Sequence, residues 1–166
     1  MPDPDHGLPL VRDAVLDHVA IAVRDLAAAA HVYRDVIGGR FLYGADVAQQ
    51  AFRFAQYRLP SGAKFELLTP IAPGFVQKFL DTRGEGIHHL TFRVPDLAGQ
   101  VDRLRAGGIT PIRVNLADPN WREAFLHPRD AHGALIQLAE SPHTDEQTAE
   151  HMASLFPEEV LLAGPA

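Results

Sequence analysis

Cysteine is absent from the 166 residues, which excludes disulfides, thiolate metal ligands and cysteine nucleophiles together. Long apolar runs are absent too, since none approaches the ~20 residues that a membrane span requires. The first residues, Met1-Pro2-Asp3-Pro4-Asp5, lack the basic and apolar regions of a signal peptide. From these absences we expect a cytoplasmic protein.

An excess of positive charge is also lacking. The 15 lysines and arginines stand against 21 aspartates and glutamates, so the net charge is -6 with neutral histidines. That balance argues against a nucleic-acid backbone or an anionic membrane surface as the main partner. We expect a small-molecule substrate, no nucleic-acid partner and no membrane partner.

An internal repeat organises the chain. The shift of 71 residues that takes His18 to His89 also takes Val23 to Val94. Near the far end of each copy, the same shift places Gly62-Ala63-Lys64-Phe65-Glu66-Leu67 on Gly133-Ala134-Leu135-Ile136-Gln137-Leu138. Because one offset holds at both ends of a segment, we interpret the chain as a duplicated module.

Each copy predicts the order β-α-β-β-β. Residues 16–24 alternate with period two, as a strand does, and residues 26–37 are alanine-rich and follow the potential cap Asp25. Three more strands fit the rest of the copy. The predicted parts are an N-terminal arm (1–14), a first βαβββ module (15–70), a linker with a short helix (71–85), a second βαβββ module (86–141) and a C-terminal helical tail (142–166), whose acidic run, residues 145–150, should face solvent.

Strand parity selects the candidate site. Successive side chains of a strand point to opposite faces, and His18, Glu66, His89 and Gln137 all fall on the faces turned away from the predicted helices. If the two sheets curl toward each other around a pseudo-twofold axis, these four side chains meet in one cleft. We therefore predict an α+β fold in which each sheet curls around a shared metal cleft.

Two imidazoles, a carboxylate and an amide form a credible ligand set for one divalent ion. Neutral histidine suits Zn, Fe, Ni or Co, and oxygen ligands favour Mn, Co or Fe, so the identity of the metal stays open. Such an ion acts as a Lewis acid that stabilises a developing enolate or oxyanion.

These residues identify a resemblance. Two βαβββ modules with one ligand on the first and last strand of each resemble the vicinal oxygen chelate (glyoxalase/bleomycin resistance/dioxygenase) superfamily, and the methylmalonyl-CoA epimerases most of all. The resemblance covers roughly residues 15 to 140. The segments that carry it are Leu16-Asp17-His18-Val19-Ala20, Phe65-Glu66-Leu67-Leu68-Thr69-Pro70, Gly86-Ile87-His88-His89-Leu90, and Phe125-Leu126-His127-Pro128 through Gly133-Ala134-Leu135-Ile136-Gln137-Leu138.

The resemblance implies a glyoxalase-like fold and a metal held by His18, Glu66, His89 and residue 137. The epimerases carry glutamate at that last position and use it as one of two proton-moving bases. This chain has Gln137, which can coordinate but cannot accept a proton at neutral pH. Where the family's other base would lie, on the third strand of the first module, this chain has Gln56.

Further side chains are candidates for catalysis or substrate binding. Gln137 and Gln56 occupy the positions of the family's bases, and His127 is a replacement acid or base unless it only fixes its turn. Arg93 could meet an anionic substrate, whereas Trp121 and Phe125 could line the pocket or belong to the core. Glu123 and Tyr57 are further candidates for the acid or base, and His88 is expected to be a core histidine.

Three functions fit these residues. The first is a metal-dependent enzyme that polarises a carbonyl for isomerase or lyase chemistry on an acyl thioester or small oxo-acid. The second is an Fe(II)-dependent dioxygenase, since His18, His89 and Glu66 form a 2-His-1-carboxylate set. The third is a non-catalytic protein that binds a small ligand. A homodimer is expected, because short paired modules expose sheet edges.

Overall fold

The order strand, helix, strand, strand, strand occurs twice in the computed structural model, which describes residues 9–153 and 155–164. The elements are β1 (Val15–Ala22), α1 (Leu26–Ala30), β2 (Arg40–Val47), β3 (Phe52–Arg58), β4 (Lys64–Pro70), α2 (Phe75–Arg83), β5 (Gly86–Arg93), α3 (Leu97–Ala106), β6 (Ile112–Asn115), β7 (Arg122–Leu126), β8 (Ile136–Glu140), α4 (Asp145–Ala153) and α5 (Glu158–Leu162). The predicted α+β fold of two βαβββ modules is confirmed. None of the helices in the described ranges is long and apolar enough to cross a membrane.

The described residues divide into two compact units. The first unit comprises Asp17–Leu90 and the described residues from His143 onward. The second unit comprises Thr91–Pro142 and the described residues up to Leu16. Residues 1–8 of the predicted arm lie outside the described residues.

In the first unit, the strand order is β2-β3-β4-β1. Strand β3 runs antiparallel to both of its neighbours, and β1 runs parallel to β4 with Ala20 opposite Glu66. One sheet face packs on α1 around Ile21, Leu67 and Tyr57. The other face packs on α2 through Leu68, Val76 and Leu80. The candidate ligands His18 and Glu66 lie on the face that carries α2, because they share the strand parity of Ala20 and Leu68.

The second unit, which includes β5 from Thr91 onward, repeats this arrangement on a smaller scale in the order β5-β8-β7-β6. The α3 side of its sheet is apolar and includes Val101, Leu104 and Leu138. Leu10 of the arm packs against the same core, and the Leu10 carbonyl accepts a hydrogen bond from Arg103 Nε at 3.2 Å. The described part of the arm is therefore attached to α3.

Equivalent aspartates cap the first helix of each module. Asp25 accepts a hydrogen bond from the backbone N–H of Ala28 at 3.0 Å, as the sequence predicts, and Asp96 accepts one from that of Gly99 at 3.2 Å. The predicted helix over residues 26–37 is only partly α-helical. Beyond Ala30 the backbone bonds lengthen to the π-helical pattern of His31–Val36, with Ile37 N donating to Val32 O at 2.9 Å.

The C-terminal tail forms two helices where the sequence predicts one, and it is part of the core of the first unit. Leu161 of α5 is 1% exposed and packs among the residues under α1. Gly44 of β2 lies so close that an added Cβ would stand 2.5 Å from Leu161 Cδ1 and 2.3 Å from Phe54 O. Only glycine therefore fits at this contact between β2 and α5.

This packing predicts that the tail contributes to stability. Leu161→Ala should lower the free energy of unfolding by about 2–5 kcal/mol, because it leaves a cavity in a dense core. Urea denaturation measures the change. Leu155→Ala is the matched control, because Leu155 lies in the same tail but is 57% exposed, so it should cost about 0.5 kcal/mol or less. Equal effects of the two changes would contradict the core role of α5.

Candidate metal centre

Three of the four predicted ligands come together in the first unit. His18 of β1, Glu66 of β4 and His89 of β5 each offer a ligand atom, and these atoms all lie within 4.8 Å of one another. His18 Nε2 lies 3.6 Å from Glu66 Oε1, and the two imidazole centroids are 6.0 Å apart. The side chains are withdrawn from solvent, with exposed fractions of 1% for His18 and 12% for Glu66. The sequence predicts this convergence of His18, Glu66 and His89 from strand parity together with the internal repeat.

Each histidine is oriented through its Nδ1. Asp17 Oδ2 lies 2.6 Å from His18 Nδ1, and His88 Nδ1 lies 2.8 Å from His89 Nδ1. An imidazole whose Nδ1–H donates to a fixed acceptor presents Nε2 to a metal, and such a partner fixes both the tautomer and the ring plane. Coordination through Nε2 fits both rings; for His89 it requires the tautomer in which His89 Nδ1–H donates to His88 Nδ1.

His88 differs from the expected core histidine. Its ring is half-buried against Phe79 and Phe75 of α2, with centroid distances of 4.8 Å and 5.4 Å. These aromatic contacts hold the ring in the position from which it contacts His89. Parity places His88 on the face opposite His89, so no sequence pattern predicts a hydrogen bond between the two Nδ1 atoms.

Glu66 is held by a neutral donor. Gln56 of β3, which is 3% exposed, lies opposite Glu66 in the strand register and donates from Nε2 to Glu66 Oε2 at 2.8 Å. Glu66 Oε1 faces His18. The predicted catalytic candidate Gln56 thus orients a carboxylate, and any role of its own in catalysis stays a prediction.

The charges in this cluster support each other despite burial. Burial favours the neutral form of each group, but the carboxylates of Glu66 and Asp17 raise the pKa of His18 to about 9. Burial likewise opposes the Glu66 carboxylate, yet His18 and His89 lower its pKa to about 2. At neutral pH the metal-free cluster therefore holds an ionised Glu66 and a protonated His18, and a metal must displace that proton.

The fourth predicted ligand, Gln137, belongs to the second unit. Its side-chain amide is buried: Oε1 accepts a hydrogen bond from Thr91 Oγ1 at 2.6 Å, and Nε2 donates to Glu123 Oε2 at 2.7 Å. The indole of Trp121 donates to the same glutamate oxygen at 3.1 Å. A carbonyl oxygen has two lone pairs, so the Thr91 contact leaves capacity for coordination. That Gln137 is a metal ligand stays a prediction.

The remaining predicted residues also lie in the second unit. The Arg93 guanidinium carbon stands 5.3 Å from the centroid of the Trp121 ring, a cation–π contact, and Phe125 lies opposite Gln137 in the β7–β8 register. His127 Nδ1 accepts the backbone N–H of Arg129 at 3.1 Å and so caps a 3₁₀ turn. His127 therefore stabilises its turn. Arg93, Trp121 and Phe125 lie on the same sheet face as Gln137.

Two residues near His18 were missed by the sequence analysis. Lys64, although charged, is 7% exposed, and its ammonium lies 3.0 Å from Asp17 Oδ1 and 2.7 Å from Asp145 Oδ2. The expectation that the whole acidic run of the tail faces solvent is wrong for Asp145, because this buried cation attracts its carboxylate. No local periodicity links a β4 lysine to a residue 81 positions later in the chain.

The raised pKa of His18 predicts that metal binding depends on pH. Acid favours the proton over the metal, so the apparent affinity should rise up to about tenfold per pH unit from pH 6 toward 9, as one proton is released. Calorimetric titration of the metal-free protein with Zn(II), in two buffers of different ionisation enthalpy, counts the protons. A proton count of zero at pH 7 would contradict the pairing of His18 with Glu66 and Asp17.

Comparison with known proteins places this geometry in context. Residues 17–125 match the family model of the Glyoxalase/Bleomycin resistance protein/Dioxygenase superfamily. The ethylmalonyl-CoA/methylmalonyl-CoA epimerase of Cereibacter sphaeroides is 34% identical over 128 residues, which span 74% of this chain and 95% of that protein. The mitochondrial methylmalonyl-CoA epimerase of Homo sapiens is 29% identical over 133 residues, spanning 76% of this chain and 73% of that protein.

Solved structures give the same relationship. The crystal structure of methylmalonyl-CoA epimerase from Mycobacterium tuberculosis superimposes with a TM-score of 0.70 at 38% identity, covering 77% of this chain and 88% of that one. A Streptomyces coelicolor methylmalonyl-CoA epimerase variant in complex with 2-nitronate-propionyl-CoA gives 0.68 at 29% identity, covering 77% and 97%. The duplicated fold, the histidine–glutamate–histidine cluster and these similarities lead to one conclusion: the chain belongs to the glyoxalase/bleomycin resistance protein/dioxygenase superfamily.

Proposed function

We propose that the protein is a metal-dependent isomerase that moves a proton at the carbon next to the carbonyl of a coenzyme A thioester. The observation that carries the proposal is the cluster of His18, Glu66 and His89, in which both imidazoles are fixed at Nδ1. Relatives described as methylmalonyl-CoA epimerases support the reaction class and the substrate class. The identity of the metal stays open among Co, Mn, Ni, Zn and Fe.

The ligand set suits stabilisation of negative charge. A divalent ion held by His18, Glu66 and His89 would supply Lewis-acid stabilisation to a substrate carbonyl oxygen. His18 and His89 would hold the ion as neutral groups, and Glu66 would add one negative charge. This ligand set would leave net positive charge on the ion to stabilise an oxyanion, and the hydrogen bond from Gln56 orients the Glu66 carboxylate.

Proton transfer needs a group that accepts a proton, and the Gln137 amide cannot accept one at neutral pH. Glu123 is bonded to the Gln137 amide and is half-buried on the same polar face of the second unit. The Gln137 amide and the Trp121 indole both donate to Oε2 of Glu123, which fixes the direction of the carboxylate. Within the second unit, Glu123 is therefore the carboxylate that we propose for the proton-accepting role that the resemblance assigns to residue 137.

A second function rests on the same three ligands. Two histidines and one glutamate are also the facial set of Fe(II) oxygenases, and the superfamily includes dioxygenases. Oxygen consumption by the ferrous protein in the presence of a catechol is the distinguishing observation. Lyase chemistry, ligand binding without turnover, a homodimer and a cytoplasmic location stay predictions.

Isotope exchange tests the isomerase. Protein reconstituted with Co(II) should exchange the α-hydrogen of methylmalonyl-CoA with deuterium from solvent, and His89→Ala should abolish both exchange and stoichiometric metal binding. Mass spectrometry of the recovered thioester measures the exchange. Metal-loaded wild type that leaves the α-hydrogen in place would reject the isomerase, and oxygen uptake or binding without turnover would then select between the two other functions.

A swap of side chains tests the base. Glu123→Gln should lower kcat for exchange about 10²–10⁴-fold while metal content is retained, because a positioned base contributes a factor of that size. Combining it with Gln137→Glu returns the carboxylate to the position that the epimerases use, and it should restore at least part of kcat. Glu146→Gln, on the exposed side of α4, is the matched control. Full activity of Glu123→Gln would remove Glu123 from the mechanism.

A further inference from the structure

We propose that Lys64 and Asp145 are positioning residues for the metal ligand His18, so that the C-terminal tail takes part in building the metal centre. The inference rests on the metal-binding part of the proposed function but not on the reaction. It concerns side chains of the first unit only, and α4 lies beyond the residues that match the family model.

A continuous chain of contacts joins the tail to the ligand. Asp145, the first residue of α4, holds the Lys64 ammonium with both carboxylate oxygens, at 2.8 Å and 2.7 Å. The same ammonium donates to Asp17 Oδ1 at 3.0 Å, and Asp17 Oδ2 contacts His18 Nδ1 at 2.6 Å. One carboxylate oxygen of Asp17 therefore binds Lys64, and the other contacts His18.

Burial makes these contacts strong. The exposed side-chain fractions are 10% for Asp17, 5% for Lys64 and 14% for Asp145. Charges withdrawn from water interact far more strongly than surface ion pairs do, and a buried ion that loses its partner becomes costly. A change at Asp145 is therefore felt at Lys64 and at Asp17.

The direction of the effect follows from the shared ammonium. With Asp145 in place, Lys64 divides its positive charge between two carboxylates. Without that charge on Asp145, the ammonium acts on Asp17 alone and competes with the N–H of His18 for the electrons of this carboxylate. Asp17 then becomes a weaker acceptor, and His18 presents a less basic and less firmly oriented Nε2 to the metal.

The fold fixes Asp145 independently of the metal ligands. Thr144 and Gln147 form reciprocal bonds at the start of α4, with Thr144 N donating to Gln147 Oε1 at 2.9 Å and Gln147 N donating to Thr144 Oγ1 at 3.2 Å. Arg58 of β3 adds an ion pair to the Asp145 carboxylate. The residue is therefore held by its own helix and by the sheet.

A second anchor of the tail offers a matched control. Glu158, the first residue of α5, accepts hydrogen bonds from Tyr57 Oη at 2.9 Å and from Arg34 Nη1 at 3.0 Å. It is a tail carboxylate with sheet and helix partners, as Asp145 is, yet none of these contacts leads to Asp17 or His18. Glu158→Gln should weaken the attachment of the tail without changing the contacts among Asp145, Lys64 and Asp17.

The experiment compares Asp145→Asn and Glu158→Gln in the full-length protein. Zn(II) affinity is measured by competition with a chelator, and the ligand geometry is measured by the visible absorption spectrum of the Co(II) protein. Asp17→Asn should weaken Zn(II) binding about 10–100-fold. Asp145→Asn, which lies two contacts further from His18, should weaken it by about 3–10-fold with a changed Co(II) spectrum. Glu158→Gln should leave affinity within about twofold and the spectrum unchanged, although urea unfolding shows lower stability.

A double variant separates positioning from general destabilisation. If Asp145 acts through Asp17, adding Asp145→Asn to Asp17→Asn should cause no further loss of Zn(II) affinity. Additive losses would overturn the inference, and so would wild-type affinity and spectrum in Asp145→Asn, or an equal loss in Glu158→Gln. Wild type that binds no metal overturns the metal-binding proposal itself, whereas metal binding without deuterium exchange rejects only the isomerase.

Discussion

The pairing of buried charges is the constraint on which the first unit depends. Glu66 and His18 lie where water is scarce, and each would be costly there as an isolated ion. Groups of opposite charge alternate along the cluster and offset this cost: Glu66 faces His18, His18 faces Asp17, and Asp17 faces Lys64. Each charged group has the next one as its partner. Replacing one of them therefore leaves a buried charge without a partner, which destabilises the folded protein.

The two copies of the repeat share the same order of secondary structure but carry different polar side chains at equivalent positions. Glu66 and Gln137 occupy equivalent positions, yet one is an ionised carboxylate and the other a neutral amide. In the first copy an amide on the neighbouring strand, Gln56, donates to that carboxylate. In the second copy the neighbouring strand supplies the carboxylate, Glu123, and the amide donates to it. An amide–carboxylate pair is thus retained with its order reversed.

Period-two alternation and the 71-residue repeat together pointed to His18, Glu66 and His89, because parity decides which face a strand residue occupies and the repeat pairs the two histidines. The same rule could not find Lys64 and Asp145, since contacts between distant segments depend on packing rather than on local spacing. It also misjudged His88, whose ring turns toward its neighbour when Phe75 and Phe79 confine it. The π-helical pattern after Ala30 and the second tail helix were missed for a related reason, since tertiary contacts override propensity in short segments.

The close approach of Gly44 to Leu161 has a consequence for handling the protein. Strand β2 ends the strand order of the first unit, and α5 rests on it so tightly that the backbone there has no room for a side chain. A shortened chain ending near Pro142 would expose the apolar surface that Leu161 covers in the core of the first unit, and exposed apolar surface favours aggregation. Trimming the last two helices is therefore a route to insoluble material rather than to a minimal domain.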